Sequence, residues 1–244
     1  MAAHLALWIA TEVHRRGARA AVVGLSGGID SAVVAGLCVR ALGPAAVEAL
    51  AMPIHSPPED GEDAALVATT LGVSLKVVDL SGPYEAMLAA LGPEVAAHRL
   101  AAANLRPRLR MATLYAHAAL RGALVVGTGN RDELTIGYFT KYGDGGVDLL
   151  PIGNLTKGEV RAVARVLGIP QRILDRPPTA GLWRGQTDEG ELGFTYEELD
   201  RYLLTGEASD ALREMVEARR RAAQHKLEMP PLPPPLPEVA EAGA

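Results

Sequence analysis

The chain has 244 residues, 48% hydrophobic and only 4% aromatic, with a formal net charge of −5. This length suits one or two domains, and the apolar fraction fills a sizeable core packed mainly by Ala, Val and Leu. The acidic balance argues against a nucleic-acid or anionic-lipid partner, and no stretch approaches the ~20 apolar residues of a membrane span.

The single Cys38 permits neither an intrachain disulfide nor a Cys-x-x-Cys metal site, which suits a reducing cytosol. A cytoplasmic protein is expected. At the N-terminus Leu5, Trp8, Ile9 and Val13 share one helical face, so residues 5–13 read as a packed helix and not a signal peptide. Apolar, strand-like runs follow near 20–23, 47–52, 75–78 and 123–126, separated by helical patterns at 30–42, 58–71 and about 93–120. Such alternation predicts an α/β fold, a parallel sheet with helices on both faces. Ligands of such sheets bind beyond the carboxyl ends of the strands.

The first of those ends is Gly24-Leu25-Ser26-Gly27-Gly28-Ile29-Asp30-Ser31. A glycine turn between strand and helix leaves unpaired N–H groups at the positive end of the helix dipole, a socket for phosphate. Gly27 and Gly28 admit phosphate oxygens close to the backbone. Asp30 would repel a bound phosphate unless a cation lies between them, which points to Mg²⁺. Neither the Walker spacing nor the Gly-x-Gly-x-x-Gly fingerprint is present.

After the fourth strand comes Gly127-Thr128-Gly129-Asn130-Arg131-Asp132-Glu133, in which Glu133 is placed to give Mg²⁺ a second carboxylate. Residues 137–155 are glycine-rich and irregular, too long for an idle connection. Within them Tyr138, Phe139 and Lys141 offer stacking and an anion partner. Thr156 and Glu159 form a capping box for the next helix, which buries Val160, Val163, Ala164 and Leu167. Lys157 stands in the first turn of that helix, where a cation opposes the dipole unless an anion pairs with it. Residues 187–193 read as polar and mobile, helices are expected at 196–204 and 208–226, and the proline run from 230 is extended polyproline II. One domain over 1–229 and a Pro-rich tail over 230–244 are expected.

Ser-Gly-Gly-x-Asp-Ser after a strand resembles the pyrophosphate loop of the ATP pyrophosphatases. Gly127–Glu133, the run Gly-Tyr-Phe-Thr-Lys-Tyr-Gly-Asp-Gly-Gly-x-Asp over 137–148, and Pro-Pro-Thr-Ala-Gly-Leu over 177–182 follow in the order found in NAD synthetases. The likeness covers about residues 20–226, and without a glutaminase domain the chain is similar to the ammonia-dependent type. It implies a Rossmann-like, adenine nucleotide alpha hydrolase-like fold and a homodimer in which residues near 100–115 face the partner. It also implies ATP-dependent amidation of deamido-NAD by ammonia, through an acyl adenylate, to give NAD, AMP and pyrophosphate.

The same resemblance assigns Gly24, Leu25, Ser26, Gly27, Gly28, Ile29, Asp30, Ser31, Thr128, Lys157 and Thr179 to ATP, and Asp30 and Glu133 to Mg²⁺. It assigns Arg108, Tyr138, Lys141, Asp148, His225 and Lys226 to the deamido-NAD substrate, with Asp30, Lys157 and Asp148 as the catalytic set. Asp148 is a candidate for receiving ammonia. Leu100 departs from relatives that carry an aromatic residue there. Arg106, Arg108 and Arg110 cannot share one helical face, so at least one is structural or solvated. The competing readings are another amidating or thiolating ATP pyrophosphatase and a non-catalytic adenine-nucleotide sensor.

Overall fold

The computed structural model describes residues 1–178 and 187–234. Four strands, β1 (Ala20–Gly24), β2 (Val47–Ala51), β3 (Leu75–Val77) and β4 (Ala123–Val126), form one sheet in the order β3-β2-β1-β4. Every pairing is parallel, with Val23 opposite Ala49 on one side and Val126 on the other. β1 lies inside the sheet, and its Ala21, Val22 and Val23 are fully buried. Alternation along the strand sends Ala21 and Val23 into one core and Val22 into another.

The first core is closed by α1 (Ala2–Arg15), α2 (Ile29–Leu42), α3 (Pro58–Leu71) and, later in the chain, the helix at Lys157–Val166. The second is closed by α4 (Ser81–Leu91) and the long helix at Arg99–Arg121. Helices therefore cover both faces, as the alternating pattern requires. Cys38 is wholly buried in α2, and burial pushes its thiol up to about 12, so it serves as a small apolar residue.

Several details differ from expectation. The helix read over 93–120 is two helices, α5 (Pro93–Ala97) and α6 (Arg99–Arg121), and α4 precedes them. The break falls at His98, whose ψ of 100° leaves the helix and whose Nδ1 accepts from the Ala101 N–H as an N-cap. In α1 the buried face is Ala2, Ala6, Ile9 and Val13, whereas Trp8 is 36% exposed. Small alanines bring α1 close to its neighbour and leave the large ring outside.

The irregular stretch after α7 (Arg131–Ile136) returns to the sheet, with Leu149 bridging Val126. The chain then continues through α8 (Lys157–Val166), α9 (Gln171–Leu174), α10 (Asp188–Leu192), α11 (Tyr196–Thr205) and α12 (Asp210–Leu227). Residues 187–193, expected to be a polar mobile segment, contain α10, with Asp188 only 3% exposed. α7, α10, α11 and α12 share a third apolar cluster built on Ile136, Phe194, Leu199, Leu212 and Val216. Residues 230–234 carry no regular structure, and the rest of the proline tail lies outside the described residues.

Candidate active site

The phosphate socket forms where β1 runs into α2. The Leu25 N–H still bonds the Leu50 carbonyl at 2.8 Å, and then the backbone leaves the sheet. Ser31 Oγ organises the turn: it accepts from the Ser26 N–H at 3.2 Å and donates to the Gly28 carbonyl at 2.9 Å. Helix α2 starts without a side-chain cap, so its first N–H groups face the turn unclaimed by a cap. Gly27 has φ +81°, and a Cβ there would lie 2.8 Å from the Asp60 carbonyl oxygen and from Asp63 Cβ. Only glycine fits. Leu25 and Ile29 are buried, so at those two positions the loop offers its backbone and not its side chains.

Beside this turn, three expected residues converge. Asn130, fully buried, caps α7: its Oδ1 accepts from the Glu133 N–H at 3.0 Å, while Glu133 Oε2 accepts from the Asn130 N–H at 3.1 Å. Asn130 Nδ2 donates to Asp30 Oδ1 at 3.1 Å, which ties the end of β4 to the loop after β1. Lys157 Nζ donates to Asp30 Oδ2 at 2.5 Å and is 2% exposed.

Burial alone would lower the Lys157 ammonium, but the carboxylates of Asp30, Glu133 and Asp188 outweigh it and hold it above the usual lysine range. Burial, and then repulsion from Asp30, raise the Glu133 carboxyl well above its ordinary value. A buried Glu133 carboxyl whose charge burial and Asp30 disfavour, next to an anion socket, fits a hard divalent cation such as Mg²⁺. Thr128 lies half-buried just past β4, and Thr179 lies outside the described residues.

A supporting layer escaped the sequence reading. The Asp132 carboxylate accepts from the Lys157 N–H at 2.6 Å, and Asp200 accepts from the Gly158 N–H at 2.7 Å. Together they hold the first turn of α8. Burial and then Asp200 push the Asp132 carboxyl up to about 7. The Tyr196 ring lies 5.0 Å from Lys157 Nζ, and its hydroxyl donates to Asp188 at 2.9 Å. Asp132 was visible inside the Gly127–Glu133 motif, but Asp188, Tyr196 and Asp200 carried no local signal.

The residues assigned to deamido-NAD fall into a second group. Tyr138 donates to Glu191 at 2.8 Å, and exposed Arg108 reaches the Lys141 carbonyl at 3.4 Å. Lys141 Nζ donates to the His225 carbonyl, and Lys226 Nζ donates to those of Gly137 and Phe139 at 2.7 and 2.8 Å. The His225–Lys226 pair therefore latches α12 onto the segment after α7. Asp148 stands apart from the hydrogen-bond network of Asp30 and Glu133: Tyr115 donates to its Oδ1 at 3.1 Å and the Val125 N–H to its Oδ2 at 2.8 Å. The two bonds fasten the irregular segment to α6 and to β4 respectively.

Of the three alternating arginines, Arg110 donates to the Met52 carbonyl at 3.0 Å and Arg106 stacks 5.1 Å from the Tyr84 ring. That leaves Arg108 as the exposed one. A cavity of about 530 Å³ lined by Ala97, His98, Arg99, Leu100 and Glu191 opens beside this group. Among the described residues no helix is long and apolar enough to cross a membrane.

The family model of NAD synthase matches residues 1–230. The NH(3)-dependent NAD(+) synthetase of Carboxydothermus hydrogenoformans is 52% identical over 232 residues, covering 93% of each chain. Among solved structures, the NMN synthetase from Francisella tularensis matches with a TM-score of 0.90 at 37% identity, over 95% of this chain and 96% of that one. The NH3-dependent NAD synthetase from Campylobacter jejuni, in complex with nitrate, matches with a TM-score of 0.79 at 31% identity, over 96% and 97%. A parallel sheet ending in a phosphate-type socket, a family match over nearly the whole chain and relatives at this identity agree: the chain belongs to the NAD synthase family.

Proposed function

We propose that the protein amidates deamido-NAD with ammonia at the expense of ATP, yielding NAD, AMP and pyrophosphate through an acyl adenylate. The observation that carries this reading is the convergence of Asp30, Glu133 and Lys157 beside an uncapped helix N-terminus at the carboxyl ends of β1 and β4. A carboxylate is a poor electrophile, so its oxygen first attacks the α-phosphorus of ATP and the bond to the β-phosphate oxygen breaks. The ammonia nitrogen then attacks the acyl carbon, loses a proton, and AMP leaves.

Negative charge grows on the departing pyrophosphate. The uncapped N–H groups at the start of α2 and the Lys157 ammonium are fixed in advance to receive it, which lowers the barrier without reorganisation. Mg²⁺, held by Asp30 and Glu133, would neutralise phosphate charge in the same place. The Tyr196 ring packs on Lys157, and their burial keeps the ammonium in a dry setting where its pull on phosphate charge is stronger. Arg108, Tyr138, Lys141, His225 and Lys226 bind the deamido-NAD substrate, and Asp148 keeps their segment against β4. The working form is a cytoplasmic homodimer with residues 100–115 toward the partner.

The deamidated mononucleotide is a second candidate substrate, favoured by the likeness to the protein titled an NMN synthetase and by Leu100 lining the cavity. One assay separates the readings: purified protein with ATP, Mg²⁺ and ammonium, given either deamidated nucleotide, with AMP, ADP and amide product followed. AMP and NAD formed in equal amounts with deamido-NAD support the proposal. AMP only with the mononucleotide transfers it to that substrate, and no AMP with either refutes it.

A further inference from the structure

Arg176 follows α9 and enters the region of the phosphate turn from the side opposite in sequence to Lys157. Its Nη1 lies 3.1 Å from the point that a Cβ on Gly27 would occupy. The same nitrogen donates to Asp63 Oδ2 at 2.8 Å, and Nη2 pairs with Asp60, both residues of α3. We infer that Arg176 is a further phosphate-binding residue, which takes hold of the β and γ phosphates at the Gly27 end of the loop. The inference rests on the reading of that loop as the site of ATP.

Three features of the structure support it. First, the guanidinium stands beside Gly27 at the edge of the loop, where the loop packs on α3, and a planar five-donor fork matches phosphate oxygens. Second, Arg176 is free to change partners at modest cost. Asp63 is 4% exposed and would be costly to strand, but Arg172 Nε keeps an ion pair, without a hydrogen bond, to its Oδ1 at 2.5 Å. Asp60 is 25% exposed and can return to water. The two carboxylates thus hold the guanidinium beside the turn until an anion arrives. Third, Lys157 serves only the Asp30 end of the loop, whereas a departing pyrophosphate carries several charges spread over both ends. A second cation at Gly27 completes the clamp.

A staple between α3 and the segment after α9 would use the same contacts, so the test must separate the two roles. Arg172 provides the control, because it makes the staple to Asp63 and Glu62, whereas Arg176 supplies the guanidinium nearest Gly27. Sodium pyrophosphate binding is measured by calorimetry and as product inhibition for the wild type, R176Q, R176K and R172Q. R176Q should bind pyrophosphate about tenfold more weakly or worse, the range of one lost charge-assisted contact, and raise the KM for ATP alike. The KM for deamido-NAD should stay unchanged, and R172Q, which removes only the second partner of Asp63, should lose clearly less pyrophosphate affinity than R176Q. Wild-type affinity in R176Q, or equal weakening in R172Q, overturns the inference. If R176Q does not fold, R176K carries the test: loss of the fork should weaken pyrophosphate measurably, and wild-type affinity again overturns it. A wild-type protein that does not bind pyrophosphate at all refutes the reading of the loop itself, and the Arg176 assignment with it.

Discussion

Replacing Lys157 with methionine removes the ammonium paired with Asp30 while keeping most of the buried volume. Breaking a buried ion pair from one side costs about 3–5 kcal/mol, because the remaining charge is left in a poor dielectric. Asp30 is 18% exposed and also accepts from Asn130, so water and that amide recover part of the loss. The lower end, about 3 kcal/mol, is therefore expected. Urea unfolding of the metal-free protein measures it. K157M/D30N, with both charges gone, should regain most of that loss, a coupling that the double-mutant cycle isolates. Activity behaves differently. Loss of a preorganised cation at the departing pyrophosphate should lower kcat by about 10²–10³ in both variants. The reasoning fails if K157M is as stable as the wild type, or if restoring stability in the double variant also restores turnover.

Asp132, raised to about 7 by burial and by Asp200, favours its neutral form in the folded protein. Its stabilising contribution is complete below the ordinary carboxylate range and is lost as pH rises through about 7. D132N keeps an acceptor for the Lys157 N–H without the charge, so its stability relative to the wild type should grow between pH 5 and pH 8; a constant or falling difference in urea midpoints contradicts this. Gly137 has φ +66°, and an added Cβ would lie 2.0 Å from Ala223 Cβ on α12. G137A should cost about 3 kcal/mol from backbone strain and overpacking together, and it should raise the KM for deamido-NAD by shifting Lys226. An unchanged unfolding midpoint would remove α12 from the account. E133Q should leave the apo protein at least as stable above pH 5, because burial and Asp30 disfavour the Glu133 charge; it should weaken Mg²⁺-dependent ATP binding, and full retention would exclude Glu133 as a ligand.

Local chemistry made much of the frame legible. Continuous apolar runs marked β1, β2, β3 and β4 to within a residue or two, and α3 spans 58–71 as expected, with Pro58 in its first turn and Gly72 as its C-cap. The Thr156–Glu159 capping box is formed as its spacing predicts. α4 is absent from the expected helices: its start, Ser81-Gly82-Pro83, is a poor helix former, and packing of Tyr84 and Leu88 holds it. The pairing of Lys157 with Asp30 spans 127 residues of sequence, and no periodicity encodes such a contact. Its hint was the misplaced charge at a helix start. Asp188 and Tyr196 were invisible for a related reason: each acts through neighbours brought in by other elements.

The central claim is that the carboxylate is activated by cleavage of ATP between its α and β phosphorus atoms at the 26–31 turn. Deamido-NAD labelled with oxygen-18 in its nicotinate carboxylate tests it most directly. With ATP, Mg²⁺ and ammonium, one labelled oxygen should appear in the phosphate of AMP for each NAD formed, and D30N should abolish both. Unlabelled AMP, or ADP in its place, would contradict the account.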